Sequence, residues 1–420
     1  MRIIYLLAAG LFAGAAQAST LAEQLEAAWR MVPEARALDA RANEQKARGL
    51  SVDGLLAAPP AVAVSYRGDN FTGNAGQRDY EAELGLPLWL PGQRAANRGA
   101  LDAEGIALVA ERAALRLKLA GELREKNGAL RRAAAELALA ETRLAEARAL
   151  EADIERRQRA GDLARTDFLA ARMETLAVMR EVAARQTARD AARAALFALS
   201  GSDQAADAEP LSQDGSLDTS SPSPQPSPLK GEGDKVSLRE FQVNPAHPEL
   251  ASRQAALAAA QGKRNAVAQN RRDAPELALF GRRERGASGA DYDNSLGVRL
   301  KFPFATEARN APLLAQAQGE VDTAEAHWAQ AQRQLTADIS LSAAALQSAR
   351  QMQDMAKLSL EAASENHRHI RRAFDYGERD LAALLRAKGQ MDAARLDAAL
   401  AEIETEIAMS RLNQARGVLP

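Results

Sequence analysis

Ser295-Leu296-Gly297-Val298-Arg299-Leu300-Lys301-Phe302-Pro303-Phe304 alternates without a slip. Leu296, Val298, Leu300, Phe302 and Phe304 share one face, and Ser295, Gly297, Arg299, Lys301 and Pro303 share the other. That is the period of two a β-strand imposes. About ten such residues suit a strand with its apolar side in lipid and its polar side toward an aqueous interior. The pattern equally suits a soluble sheet with one wet face. A second stretch repeats it: Leu84, Leu86, Leu88 and Leu90 alternate with Glu83, Gly85, Pro87 and Trp89. Each has a companion across turn residues, Gly68-Asp69-Asn70 to Gly76 in one case and Gly286 to Gly289 in the other. Strands are therefore expected at about 61–67, 80–90, 276–282 and 292–304.

Around these strands one plan is written twice. A shift of 216 residues lays Gly161 on Gly377, Gly201 on Gly417 and Pro87 on Pro303. The same shift lays the seven-residue series Leu123, Leu130, Leu137, Leu144 on Ile339, Leu346, Gln353, Leu360. Ala133, Ala140 and Ala147 fall on Ala349, Ala356 and Ala363. Large residues at one seam position and alanine at the other allow close, coiled-coil-like helix packing. Each half reads as helix, two strands, long helix, sharp turn and shorter helix. The first helix is expected over 20–57, ended by Pro59-Pro60. Long helices are expected over 94–160 and 312–376, each spanning roughly 100 Å. Shorter ones return over 163–199 and 379–416.

The composition removes other functions. Fifty-four basic against fifty-six acidic residues leave a net charge of −2, with no basic field for nucleic acid. Cysteine is absent, which excludes disulfides, thiol catalysis, Cys-based zinc sites and a lipid-bearing cysteine. Four histidines are too few for a His-rich metal centre. No Ser/His/Asp set or phosphate-cradling loop stands in a supporting context, so neither an enzyme nor a resident cofactor or metal is expected. His367 and His369 are two apart on a helix and point to different faces. Met1-Arg2, an apolar run over Ile3–Ala16 and the small-x-small end Ala16-Gln17-Ala18 read as a secretory signal over 1–18. Residues 201–244, with the Ser/Pro run Ser220–Pro228, read as a flexible connector. The domains are then 19–200 and 245–420.

Four strands cannot close a membrane barrel, whose smallest common forms have about eight. An open edge in lipid leaves backbone groups unpaired at several kcal/mol each. If these are membrane strands, chains must share one barrel, and the attached helices would continue it as a conduit on the aqueous side.

The mature chain resembles the TolC-type outer membrane factors of bacterial tripartite efflux and secretion systems. The duplicated plan carries the resemblance, as do the turn segments Arg159-Ala160-Gly161-Asp162-Leu163 through Leu169 and Tyr376-Gly377-Glu378-Arg379-Asp380 through Leu385. It implies a homotrimer with a twelve-stranded outer membrane barrel and a periplasmic α-helical barrel. It also implies tips at Ala160, Gly161, Asp162, Tyr376, Gly377 and Glu378 that dock a periplasmic adaptor protein, with the pump in the inner membrane. Within the family the chain looks most like factors of heavy-metal efflux pumps of the resistance-nodulation-division class. The corner residues Leu86–Arg94, Asp291–Asn294, Phe302-Pro303-Phe304 and Arg309–Pro312 carry that likeness. A type I protein-secretion or multidrug duct stays open, as does a non-channel envelope coiled coil. The resemblance sets Asp167 near Arg379 as a candidate gate. Phe374 replaces a tyrosine of that network, and entrance carboxylates of some members fall on Ala383 and Arg386. Arg299 and Lys301 are the candidate lumen-facing barrel residues.

Overall fold

The computed structural model describes residues 20–211 and 244–420. The expected signal segment, and residues 212–243 of the expected connector, lie outside the described residues. The elements run α1 (Leu21–Met31), α2 (Pro33–Asp53), β1 (Ala61–Gly68), β2 (Arg78–Pro87), α3 (Gln93–Ala160) and α4 (Arg165–Ser200). Then follow α5 (Pro248–Gln269), β3 (Glu276–Arg285), β4 (Asp293–Lys301), α6 (Glu307–Asp375) and α7 (Leu381–Ala415). The chain divides into two compact units, and α3 and α6 contribute to both.

One unit, over 32–115 and 238–337, holds the sheet. Its four strands lie in the order β1-β2-β3-β4, every neighbour antiparallel. The central pairing joins the two halves, with Leu84 opposite Leu279 and Glu81 opposite Arg282. Opposed residues share a face, so the register gathers most apolar side chains on one side, with Arg78, Arg283 and Arg285 at the loop end of that side. Val62, Val64, Tyr66, Tyr80, Leu84, Leu279, Leu296, Val298 and Leu300 all lie on one side and are all exposed. The charged residues Asp79, Glu81, Glu83, Arg282, Arg299 and Lys301 lie on the other. In the same unit Arg98 pairs with Asp53 at 2.6 Å, tying α3 to α2. A Cβ at Gly262 of α5 would meet the Ala100 backbone of α3 at 3.2 Å, so those helices pack at small residues.

The other unit, whose described residues are 20–31, 116–211 and 338–420, is helical. The α3 seam is its core: Leu123, Leu130, Leu137, Ala133, Ala140 and Ala147 are all buried. The matching α6 seam is buried at Ile339 and Leu346 but only half-buried at Gln353 and Leu360. α3 is flanked by both α4 and α7, through Arg143–Glu181 at 2.9 Å and Arg411–Glu125 at 2.8 Å.

Four expectations are corrected. The helix expected over 20–57 breaks at Val32 (φ −71°, ψ 122°) and ends at Asp53. Pro33 has no N–H to continue a helix and sits instead in the first turn of a new one, while the residue before a proline is pushed to extended backbone. β2 and β4 stop at Pro87 and Lys301, short of the expected 90 and 304, because Pro87 and Pro303 have no donor for a ladder. α6 starts at Glu307, so Pro312 lies inside it rather than at its head. The expected connector is not free from Gly201 onward. Ala206 N–H donates to Asn127 Oδ1 at 2.7 Å, Asn413 donates to the Pro210 carbonyl at 3.1 Å, and Glu209 pairs with the buried Arg124 at 2.7 Å.

Candidate channel surfaces: the sheet and the helix tips

The charged face of the sheet is internally paired. Arg282 makes two hydrogen bonds to Asp79, at 2.9 and 2.7 Å. Arg299 donates to Glu81 at 2.9 Å and to Glu83, and its guanidinium lies 4.9 Å from the Phe280 ring centre. Lys301 reaches Glu276 at 4.0 Å. Beyond the strands the two hairpin loops are joined by Ser288 N–H donating to the Ala75 carbonyl at 2.8 Å. Among the described residues both outer strands, β1 and β4, leave one edge unpaired.

The tips are helix terminations of one type. At the first, Gly161 N–H bonds the Gln158 carbonyl and Asp162 N–H bonds the Arg157 carbonyl. At the second, Gly377 bonds Phe374 and Glu378 bonds Ala373. These paired bonds form a Schellman motif, which places its glycine at positive φ, here 90° for Gly161 and 77° for Gly377. Ala160 ends α3, and Tyr376, one residue past the end of α6, is 83% exposed. Beneath the turns Leu150 and Ile154 of α3, Ala171 of α4, Phe374 of α6 and Leu381 and Leu384 of α7 form one apolar cluster. Phe374 is thus a core residue here, with the Arg157 guanidinium 5.5 Å from its ring centre. Arg157 also pairs with Asp375 at 3.1 Å and Asp153 at 3.2 Å, and Arg371 with Asp375 at 3.5 Å.

Within the chain Asp167 and Arg379 are not brought together. The Asp167 carboxylate accepts the Ala164 N–H at 3.2 Å, capping its own helix, and Arg379 is exposed. Ala383 donates its N–H to Asp380, and Arg386 is exposed. His369 lies 3.7 Å from Glu365, while burial and the Lys388 charge lower the His367 pKa. Among the described residues no group of His, Asp and Glu side chains could hold a metal ion.

A polar layer farther from the tips escaped the sequence reading. Lys388 bonds Glu146 at 2.6 Å and Asp392 at 3.0 Å, and Arg395 bonds Glu146 at 3.0 Å. Arg143 reaches Asp392 at 3.3 Å and Glu181 at 2.9 Å. Burial opposes ionisation of Glu146, yet the Lys388 and Arg395 bonds win and hold it below the usual carboxylate range. Glu81 and Glu83 were also missed. The 216-residue shift lays Glu83 on Arg299, so the repeat itself carried that signal.

The family model described as outer membrane efflux protein matches residues 243–418. Over those residues the chain is similar to the outer membrane efflux protein family. Solved structures extend the likeness in fold to nearly the whole chain. VceC of Vibrio cholerae, an outer membrane protein, matches with TM-score 0.70 at 15% identity, covering 95% of this chain and 96% of its own. CusC matches with TM-score 0.71 at 18%, covering 95% and 92%. The open state of the MtrE outer membrane channel of Neisseria gonorrhoeae matches with 0.67 at 18%, covering 95% and 89%. No curated protein matches in sequence. Among the described residues no helix is long and apolar enough to cross a membrane.

Proposed function

We propose that this chain is the exit duct of a tripartite efflux system. Three copies pool their strands into one barrel, and the helices continue the passage through the periplasm. The observation that carries the reading is a sheet with an exposed apolar face, a paired charged face and two free edges. β1 and β4 run in opposite directions, so the free edge of one copy meets that of the next antiparallel, and the barrel closes with no edge in lipid. Arg299 and Lys301 then face the passage. Removal of residues 1–18 delivers the mature chain, whose repeats span 19–200 and 245–420.

Ala160, Gly161, Asp162, Tyr376, Gly377 and Glu378 form the end that meets a periplasmic adaptor protein, which links the duct to a resistance-nodulation-division pump in the inner membrane. The corner sequences favour heavy-metal cations as cargo. Asp167 and Arg379 close the tip between neighbouring copies, since the chain does not pair them internally.

The purified chain should migrate as a heat-sensitive trimer and conduct ions across planar bilayers. Asp167→Ala with Arg379→Ala should raise single-channel conductance, and an unchanged value removes them as the gate. A deletion strain should become sensitive to heavy-metal salts; sensitivity to dyes and detergents alone would assign a multidrug duct instead.

A further inference from the structure

We propose that Arg299 sets the ion preference of the barrel interior by masking half of the charge of Glu81 and Glu83. The inference rests on the reading that the charged face of the sheet lines the passage. Asp79 pairs with Arg282, which also reaches Glu284 at 2.7 Å, and Glu276 lies 4.0 Å from Lys301. Glu81 and Glu83 share one cation. They are two residues apart on β2, on one face, and both accept hydrogen bonds from the single guanidinium of Arg299. The Phe280 ring 4.9 Å away holds that guanidinium in place. Arg299 is half exposed, at 49%, so ions in the passage feel the group directly.

One positive charge against two negative leaves this trio a charge of −1 in each copy, repeated around the barrel axis. Loss of Arg299 doubles it, and loss of Glu83 cancels it. Fixed charge of one sign on a confined wall concentrates the opposite ion. The structure thus assigns small cations as the favoured species and Arg299 as the residue that limits the preference.

The test is the reversal potential under a potassium chloride gradient, measured near 0.01–0.1 M, where the screening length is about 30 to 10 Å. Arg299→Gln should raise the potassium-to-chloride permeability ratio about twofold or more, and Glu83→Gln should lower it. Arg299→Lys keeps the charge and should leave the ratio at the native value. The differences should vanish at about 1 M salt, where screening reaches about 3 Å. An unchanged ratio in Arg299→Gln, or Arg299→Lys behaving like it, overturns the inference. The chain has no cysteine, so Ser295→Cys on the same face and Leu296→Cys on the opposite face can be probed singly with a membrane-impermeant thiosulfonate. Stepwise block at Ser295→Cys alone supports the lumen reading, whatever Arg299 does. Block at Leu296→Cys alone would sink that reading and the inference with it.

Discussion

Gly161 and Gly377 stand at φ 90° and 77°, a region an L side chain enters at about 1–2 kcal/mol. No other atom lies within 4 Å of where a Cβ would sit at either. The cost of a side chain there is therefore backbone strain alone. Gly389 has the same open surroundings but lies inside α7, where glycine is less favourable than alanine by about 0.5–1 kcal/mol. The two kinds of glycine should respond with opposite sign. Gly161→Ala and Gly377→Ala should each lower the thermal midpoint of the detergent-solubilised protein, and Gly389→Ala should raise it. A matching drop in all three would mean that neighbouring copies crowd these sites. Heptad phase and glycine position were readable from sequence at this scale. The burial of Phe374 was not: the tyrosine comparison directed attention to a missing hydroxyl, whereas the ring fills a cluster built by four helices.

Between helices the decisive feature is the layer that joins α3 to α7. The Lys388 and Asp392 side chains are only 10% and 7% exposed. Lys388→Ala leaves Asp392 and Glu146 without their shared ammonium, and truncating one partner of a buried ion pair costs about 3–5 kcal/mol. The pH dependence follows from Glu146. Its folded pKa is depressed, so its contribution is full above the ordinary carboxylate value of about 4.3 and is lost as pH falls through the lower folded value. His367 adds to the loss in acid, since its folded pKa is also lowered. It is faced by Lys388, Asp392, Arg371 and Glu146. As pH falls below about 6.5 the unfolded chain takes up that proton first, which favours unfolding. Thermal melts should show the gap between native protein and Glu146→Gln closing below about pH 4, while His367→Gln flattens the slope just below about 6.5. A gap independent of pH would remove Glu146 from the layer's energetics. None of this layer was legible, because charged residues on Ala-rich helices look alike until the crossing of α3 and α7 selects which ones meet. Strand ends were misread for a nearer reason. Alternation continues through Pro87 and Pro303, but the ladder needs donors these residues lack. The Val32 break lay in plain view at Pro33, a helix stop inside the helix expected over 20–57.

For the whole molecule the issue is what covers the free edges of β1 and β4. The exposed row of valines, leucines and tyrosines on the sheet asks for lipid, and lipid does not tolerate an unpaired backbone. Within one chain β2 and β3 separate the outer strands, so closure must come from other copies. Neighbouring strands lie about 4.7–4.9 Å apart, inside the Cα separation a disulfide accepts, about 4.4–6.8 Å. A cysteine-free chain makes the experiment clean. Single cysteines placed along Ala61–Gly68 are paired in the same chain with single cysteines along Asp293–Lys301, and the membranes are oxidised. The correct register should produce a ladder of dimers and trimers on denaturing gels, collapsed by reductant. Registers shifted by one residue should fail, because that slip moves the side chains to opposite faces. A scan that yields no ladder at any register would show that β1 and β4 do not meet across copies. The barrel, and with it the charged passage, would then have no closed wall.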